Sequence, residues 1–524
     1  MWIAYLILGV YALSMIGIAI YTRNRSKSVD DFLHGGEKGL NGWMTAFAYG
    51  TTYFSAVIFV GYAGNFGRQF GLASVWIGIG NAILGSLIAW WVLAKRTKKM
   101  TTKLQAKTMP DFFEKRYGNS AVKIVSAVII FLFLIPYSAS VYNGLSSLFE
   151  TVFKIDGWII MVVLAVLTAI YLFFGGYFAT ALSDFIQGII MLIGIILLVG
   201  TFLNYDTINW NISEIANTWL PKDSVNAPWV YNNTCSLISL IVLTSFGVWA
   251  LPQTVHKYYA IRDNKAIKQG MIVSTIFALI IGFGAYFIGA LSHYFPTTFD
   301  KLGDYVIPEM IKVAIPAWLI GIFAVLILSA SMSTLSSVSL SGASVIAVDL
   351  YKGGINKKAS DKSTTWLMRI LCVIFILISV VIAILNQKFK IAAIAHLMGL
   401  SWGTLAGCFI GPYVLGLVWK KVSVPAVWAS IISSLVITIG LTLILGACHP
   451  SFNGGFGNML VYGVKCSPFI GCVCMVFSFA ITALVTAFTK PPKQEIVENA
   501  FSEEIKQNLE INDTAEQLET AVTE

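Results

Sequence analysis

The sequence predicts an all-α integral membrane protein of about thirteen transmembrane helices, built around two inverted repeats of five helices. The first observation behind this prediction is that apolar runs long enough to cross ~30 Å of hydrocarbon recur along the whole chain. The second is that only 12% of the 524 residues are charged, about half the fraction typical of soluble proteins. The third is that two apolar segments, five spans apart, are interrupted by Gly or Pro at matching positions.

The apolar runs end at charged, Pro or Gly residues, which sets their approximate limits. We expect membrane spans at 3–21, 45–66, 73–94, 122–146, 157–175, 180–202, 234–256, 272–294, 316–341, 366–386, 392–418, 425–447 and 466–488. Residues 1–489 are therefore predicted to form a single transmembrane domain, whose repeat core covers about 42–420. The segment 490–524 is rich in Glu and poor in aromatic residues, so we expect an acidic, solvated cytoplasmic tail.

Two segments between spans are longer than simple turns, and they lie on the same predicted side of the membrane. These are 203–233 and 295–315. The second contains a candidate amphipathic helix around Tyr305–Val313. Loops of this length often act as lids in transporters, although plain surface loops are the alternative.

The Lys and Arg residues are unevenly distributed between the two sets of loops. Of the 35 in the chain, 27 fall on the side that includes Lys95 and Arg96, and 8 fall on the other side. The positive-inside rule then places the N-terminus outside the cell and the C-terminus in the cytoplasm. The net charge of +9 thus reflects membrane topology, and it indicates the lipid bilayer rather than nucleic acid as a partner. Nothing in the sequence points to an obligate protein partner.

The second and seventh spans each contain a break signal in mid-membrane. The second span carries Gly50 followed by Thr51 and Thr52, and Gly weakens a helix by ~1 kcal/mol relative to Ala. We expect the helix to unwind at Gly50 and to expose backbone carbonyls. The seventh span is interrupted between Gly247 and Pro252. Such paired interruptions point to the binding site of a secondary transporter, although Gly and Pro are also common in ordinary transmembrane helices.

The ninth span ends in a stretch that is unusually rich in hydroxyl groups for membrane depth, residues 329–341. Helical spacing places Ala330, Ser333, Thr334 and Ser337 on one face, with Ser336 beside them. One interpretation is close helix packing, in which Ser and Thr bond across to neighbouring helices. The other is a site for a hard, weakly held cation, which prefers oxygen ligands.

Several motifs together carry a resemblance to a known family. They are Thr108–Tyr117, the pair of stretches 175–179 and 183–188, and Ser331–Leu335 followed by Asp349–Lys352. This combination resembles the sodium/solute symporter family, especially its sodium/proline and sodium/pantothenate branches, over roughly residues 5–420. The resemblance implies thirteen spans, an external N-terminus, a location in the cell (plasma) membrane and a five-plus-five inverted repeat like that of the APC and neurotransmitter-symporter folds.

The resemblance also implies sodium as the coupling ion and assigns residues to it. Family members of this type hold one sodium ion between the broken second span and the ninth span. The matching ligands here are the carbonyls of Thr51, Phe54 and Ala330 and the hydroxyls of Ser333 and Thr334. Some relatives hold a second sodium ion, and its matching positions are Asp184, Ser333, Ser336 and Ser337. For Asp184, the alternative is a helix-capping carboxylate near the membrane interface.

The solute cavity that the resemblance implies has aromatic walls and a few hydroxyl groups, which suit a small, partly apolar solute. We assign to it Tyr53, Ser55 and Ala56 on the second span, Tyr137 on the fourth, Thr244 and Trp249 on the seventh, and His396 and Trp402 on the eleventh. Ordinary packing is the alternative for each of them. Tyr53 stands where the sodium/proline branch has an aspartate, which argues against proline as the solute. In the predicted topology no Lys or Arg lies mid-span beside this cavity.

The predicted function is sodium-coupled import of a small organic solute, such as an amino acid, a carboxylate or a pantothenate-like molecule, by alternating access. A passive solute or ion channel is the alternative, but it would need a continuous pore lining or a symmetric filter. We do not expect an enzyme, because the sequence has no phosphate-binding loop, HExxH or GxSxG motif and its five histidines are scattered. Cys448 and Cys466 flank one external loop, so a disulfide between them is conceivable.

Overall fold

The computed structural model describes residues 2–36, 40–211, 215, 229–295, 303–389, 392 and 394–501. Within those ranges the regular structure is helical, apart from one isolated parallel bridge between Leu40 and Ile261. The predicted all-α class is therefore confirmed. Parts of the predicted long loops 203–233 and 295–315, and the tail beyond residue 501, lie outside the described residues.

The helices follow the predicted spans in order along the chain. In the first part they are Trp2–Thr22, Val29–His34, Gly42–Tyr53, Val57–Gly67, Val75–Gly80 (continuing to Lys95–Leu104), Met109–Tyr117, Ser120–Leu148 and Gly157–Leu203. In the second part they are Asn233–Gly247, Pro252–Tyr259, Asn264–Ala290, Val306–Ala314, Ile320–Ser344, Asp361–Phe389, Ile394–Val418, Val424–Ala447, Phe456–Lys465 and Ser467–Phe488. The helix Val306–Ala314 confirms the short amphipathic helix predicted in that loop.

Eleven helices of the described chain are long and apolar enough to cross a membrane, two fewer than the predicted spans. Two of them, Val57–Leu104 and Gly157–Leu203, would each be roughly 70 Å long if straight, more than twice the hydrocarbon thickness. Each contains a glycine with positive φ that interrupts the helical backbone, Gly71 at 56° and Gly176 at 58°. These two long helices thus contain the predicted third, fifth and sixth spans and the second half of the second.

The second predicted span is a discontinuous helix made of Gly42–Tyr53 and Val57–Gly67, which we call the first discontinuous helix. Its break lies at Phe54, where φ is −99° and ψ is 95°. The predicted unwinding at Gly50 is wrong, because the helix runs through this residue. Gly50 is instead required for packing, since a Cβ atom there would lie 2.5 Å from the ring of Phe277.

The seventh predicted span is broken where the sequence indicates. Its first half, Asn233–Gly247, ends before four non-helical or turn residues, and its second half is Pro252–Tyr259. Pro252 opens the second half because its fixed φ and missing N–H suit the first turn of a helix. We call this pair the second discontinuous helix.

The helix Ile320–Ser344, which we call the serine-rich helix, lies at the centre of the protein. In the span that contains it, 89% of the most apolar stretch is buried, and the same share is buried in Ile394–Val418. The corresponding share is 22% for the N-terminal span and 33% for Val424–Ala447. The central helix is thus the one with the most hydroxyl groups, while the apolar helices face outward, as expected for a protein surrounded by lipid.

Loops that carry most of the Lys and Arg residues gather on one face, which we call the lysine-rich face. The Lys98 ammonium donates to the Tyr259 carbonyl oxygen at 3.0 Å. The buried Arg116 guanidinium donates to the Trp419 carbonyl oxygen at 3.0 Å. These bonds join loops that are far apart in sequence but belong to the same predicted side of the membrane.

The opposite face is held together by two carboxyl groups, one buried and one half-buried. Asp304 accepts hydrogen bonds from the Asn65 amide at 2.8 Å and from the Ile394 N–H at 3.1 Å. Burial raises the pKa of the Asp304 carboxyl to about 6 despite these two donors. Nearby, Tyr305 donates to Glu150 at 2.8 Å. The loop after 303 therefore connects the first discontinuous helix to the start of Ile394–Val418.

The beginning of the tail is packed rather than solvated. Residues 494–501 are helical, and Phe501 is only 4% exposed. The Arg116 guanidinium lies 4.9 Å from the centre of the Phe501 ring. Cys448 and Cys466 are both free thiols, so the disulfide considered from the sequence is not present.

Candidate functional site

The serine-rich helix faces the break in the first discontinuous helix. The Ser333 hydroxyl donates to the Thr51 carbonyl oxygen at 3.0 Å and contacts that of Ala330 at 3.2 Å. The Thr334 hydroxyl lies 3.4 Å from the carbonyl oxygens of Thr51 and Thr52. Four of the five residues predicted for the first sodium ion therefore converge, and Thr52 adds a carbonyl that the sequence reasoning did not name.

The end of Gly42–Tyr53 explains why these carbonyl oxygens are available. The last four carbonyls of a helix have no N–H partner within the helix, and Thr51 and Thr52 lie in this final turn. The Phe54 N–H still donates to the Gly50 carbonyl at 2.9 Å, and the chain leaves the helix at Phe54, the fifth predicted residue. We call this group of residues the first cation site. Its neutral oxygens fit a hard monovalent cation that must also be released.

Two of the four residues predicted for the second sodium ion, Asp184 and Ser337, contact a lysine. The Lys257 ammonium lies 3.7 Å from Asp184 Oδ2 and donates to the Ser337 hydroxyl at 2.9 Å. Both charged side chains are almost fully buried. Ser333 and Ser336 are joined along the same helix, where the Ser336 hydroxyl donates to the Ser333 carbonyl at 2.9 Å. We call these four predicted residues the second cation site.

The burial of Lys257 was not predicted from the sequence. Hydropathy ends the seventh span at residue 256, one position before Lys257, and so assigns this lysine to a loop. The structure places it on the buried half-helix Pro252–Tyr259. The signal that could have found it is its position five residues after Pro252, because a half-helix opened by Pro continues for at least another turn.

Three aromatic residues assigned to the solute cavity form one buried cluster. The ring centres of Tyr137 and Trp402 are 5.6 Å apart, and those of Tyr53 and Trp402 are 6.0 Å apart. Ser55 and Thr334 lie beside the Tyr137 hydroxyl. The Tyr137 hydroxyl also lies beside the Trp402 indole N–H, but among the described residues neither group has a hydrogen bond of good geometry. Two buried donors on one wall, next to the first cation site, are suited to a polar group of a solute.

Thr244 and Trp249 lie on the second discontinuous helix, and their polar atoms already have partners. The Thr244 hydroxyl donates to Asn81 at 2.7 Å, and the Tyr53 hydroxyl donates to the Thr244 carbonyl at 2.7 Å. The Trp249 indole N–H donates to the Leu84 carbonyl at 3.0 Å. These bonds hold the break of the second discontinuous helix against the third predicted span. Asn81 was missed, although an amide in an apolar span is a visible signal.

His396 is not brought to the aromatic cluster. It lies six residues before Trp402 on the same helix, which is about 9 Å along the helix axis. Its ring packs edge-on against Phe66 with ring centres 6.4 Å apart. There it lines a separate cavity of about 260 Å³ together with Tyr231 and Lys465.

Two of the motifs that carried the resemblance contact each other near the lysine-rich face. The Thr108 hydroxyl lies 2.8 and 2.7 Å from the two carboxylate oxygens of Asp349. The Lys123 ammonium bonds to Asp111 at 3.1 Å and to Glu114 at 2.8 Å, and lies 3.8 Å from Asp349. Burial alone would raise the pKa of the Asp111 carboxyl, but Lys123 and a second lysine hold it below its usual value.

The sequence model of the sodium:solute symporter family matches residues 32–433, about three quarters of the chain. The chain belongs to the sodium:solute symporter family. The predicted family is thus confirmed. Membership of this family establishes that the chain is a multi-pass membrane protein that couples the movement of a small solute to sodium. The family consists of transporters. The channel alternative is not favoured by these relationships.

Individual relatives agree with this placement. The chain is 29% identical over 449 residues to the osmoregulated proline transporter of Bacillus subtilis (strain 168), covering 83% of this chain and 88% of that protein. It is 28% identical over 447 residues to the sodium/pantothenate symporter of Haemophilus influenzae (strain Rd), covering 83% and 89%. A substrate-bound, outward-open Na⁺-coupled sialic acid symporter superposes with a TM-score of 0.72 at 18% identity, covering 94% and 99%. This likeness confirms the inverted-repeat symporter fold.

Proposed function

We propose that this symporter imports a small solute that carries a carboxylate on a partly apolar body, together with sodium bound at the first cation site. The observation that carries the proposal is the pair of buried donors, the Tyr137 hydroxyl and the Trp402 indole N–H, beside Ser55 and Thr334. Two adjacent donors without a hydrogen bond of good geometry suit an anionic acceptor, and the aromatic rings suit an apolar body. Amino acids, short carboxylates and pantothenate-like molecules all belong to this class.

The relatives' printed names support the same class. Proline, pantothenate and sialic acid, which the three proteins described above transport by name, all carry a carboxylate. Proline itself is disfavoured here, because Tyr53 fills the position of the aspartate in the sodium/proline branch and its hydroxyl is already bound to the Thr244 carbonyl.

The sodium ion is assigned to the first cation site for a chemical reason. Thr51, Phe54, Ala330, Ser333 and Thr334 supply carbonyl and hydroxyl oxygens but no charge. Neutral ligands hold an ion more weakly than carboxylates would, which allows its release on the other side of the membrane. Thr334 also lies beside Tyr137, so ion and solute would share a wall, and binding of one would favour binding of the other.

We further propose that the chain lies in the cell (plasma) membrane with its lysine-rich face and C-terminus in the cytoplasm. The positive-inside rule supports this orientation. Alternating access would then expose the break between the two discontinuous helices first to the outside and then to the cytoplasm. Inward movement of sodium yields ~2.3 kcal/mol per 100 mV of membrane potential, in addition to its concentration gradient.

An uptake screen in proteoliposomes tests the proposal. We expect one or more carboxylates among neutral amino acids, monocarboxylates and pantothenate to accumulate only when an inward sodium gradient is present. Each carboxylate is paired with its amide or alcohol analogue as a matched control, and the analogue should not accumulate. Equal accumulation of acid and analogue would refute carboxylate recognition. Equilibration without any sodium requirement would instead support a passive channel.

A further inference from the structure

The Lys257 ammonium sits where a mobile cation would be expected. Its nitrogen lies 3.7 Å from Asp184, 2.9 Å from the Ser337 hydroxyl and 5.0 Å from the centre of the Tyr177 ring. The Ser337 hydroxyl also shares a hydrogen bond of 2.9 Å with the Thr52 hydroxyl. A carboxylate, hydroxyl oxygens and the face of an aromatic ring are all groups that attract a cation.

The charges at this place balance without an ion from solution. Asp184 supplies one buried negative charge and Lys257 one buried positive charge. Among the described residues, no group donates a hydrogen bond of normal length to either Asp184 oxygen. The ammonium is therefore the main partner of this carboxylate. A sodium ion entering the same site would meet a like charge a few ångströms away in a medium of low dielectric constant, which is strongly unfavourable.

We propose that Lys257 acts as a tethered cation that occupies the second cation site, so that this symporter binds and moves one sodium ion rather than two. This inference rests on the proposed function, because it presupposes sodium at the first cation site. It revises the assignment of Asp184, Ser336 and Ser337 to a second sodium ion. Asp184 and Ser337 hold the lysine instead.

The lysine also connects parts of the fold that belong to different repeats. Lys257 comes from the second discontinuous helix, Ser337 from the serine-rich helix and Thr52 from the end of the first discontinuous helix. A covalently attached cation keeps these elements together but carries no charge across the membrane. The charge moved per neutral or zwitterionic solute is then one elementary charge.

Equilibrium binding of ²²Na⁺ to the purified full-length chain tests this inference without knowledge of the solute. We expect one sodium ion per wild-type chain at saturation and two per Lys257→Gln chain, because the substitution removes the charge and leaves Asp184 available. The double variant Lys257→Gln/Asp184→Asn should return to one. Lys257→Arg is the matched control, which keeps the positive charge and should bind one ion.

The outcomes separate this inference from the proposed function. Two ions per wild-type chain would overturn the inference directly, whether or not the variants fold. One ion per monodisperse Lys257→Gln chain would also overturn it, because an emptied second site should then accept sodium. Binding of no sodium to the wild-type chain would refute the proposed first cation site. One bound ion in the wild type that is lost in Thr334→Val would support both the first cation site and the role of Lys257.

Discussion

Replacing Thr334 by Val tests the first cation site most directly, because the two side chains have nearly the same volume and only the hydroxyl oxygen is lost. In the structure this oxygen lies 3.4 Å from the carbonyl oxygens of Thr51 and Thr52, longer than the ~2.7–2.8 Å typical of O–H···O bonds. Its contribution to stability in the absence of sodium is therefore at most about 1 kcal/mol.

The expected effect on sodium binding is larger. An interaction between a neutral polar group and a charge is worth about 1.5–3 kcal/mol, and each ~1.4 kcal/mol changes an equilibrium constant tenfold. Loss of one of the ligand oxygens should thus weaken sodium binding about 10- to 150-fold. The measurement is the melting temperature of the purified chain while sodium replaces choline at constant ionic strength, since a bound ion stabilises the folded state in proportion to the logarithm of its concentration.

The matched control is Thr442→Val, whose hydroxyl donates only to the Thr438 carbonyl of its own helix at 2.6 Å. This variant should reproduce the sodium dependence of the wild type. A Thr334→Val curve that superimposes on the wild-type curve would refute the assignment of this hydroxyl to the ion. A loss of several kcal/mol without sodium would show that the hydroxyl is structural.

Three further predictions concern other parts of the molecule. Tyr137→Phe should raise the KM for the transported carboxylate about tenfold, because a hydrogen bond of ~1–1.5 kcal/mol is lost, and should leave the melting temperature nearly unchanged. Burial raises the pKa of Asp304 from its ordinary value to about 6, so its protonated form contributes stability that is complete below the ordinary pKa and is lost as the pH rises through 6. The raised pKa corresponds to about 3 kcal/mol, and Asp304→Asn should flatten the dependence of the melting temperature on pH between about pH 4 and 7. Lys123→Met should lower stability by about 3–5 kcal/mol, measured by thermal unfolding, because it removes the buried cation that lies between Asp111 and Asp349.

Controls distinguish these effects from general damage. For Tyr137, a drop in kcat and melting temperature with unchanged KM would indicate packing rather than solute contact. For Asp304, parallel melting curves of wild type and variant across the pH range would contradict a raised pKa. For Lys123, the variant Lys115→Met removes a lysine that is 35% exposed and also bonds Asp111, and it should cost less than 1 kcal/mol. A similar loss in both lysine variants would show that burial of Lys123 is unimportant.

Helical periodicity and the resemblance to the family predicted the serine-rich helix in the most detail. Spacing alone places Ser333 and Thr334 on one face, and the family pattern supplies the partner carbonyl of Thr51. The position of the break was predicted wrongly because Gly50 lowers helix propensity, yet packing against Phe277 keeps the helix intact there. Local propensity is a weak signal when tertiary contacts act on the same residue.

The burial of Lys257 and its pairing with Asp184 could not be predicted from hydropathy, for a different reason. A window of apolar residues treats a lysine at the end of a span as a loop residue, and its partner Asp184 lies 73 positions earlier on another helix. Only the packing of three helices shows that the two charges compensate each other. His396 was assigned from its position on the eleventh span, but the axial distance to Trp402 could be judged only once the helix was placed.

The hydroxyl groups of the serine-rich helix bear on how this protein is synthesised. Several of them donate to carbonyl oxygens three or four residues earlier in the same helix, as Ser331 does to Ile327 at 2.7 Å and Ser336 to Ser333 at 2.9 Å. A segment whose polar atoms are already bonded internally can leave the translocon for lipid before its neighbours have been translated. These internal bonds therefore lower the cost of placing this helix in lipid before the bundle is complete.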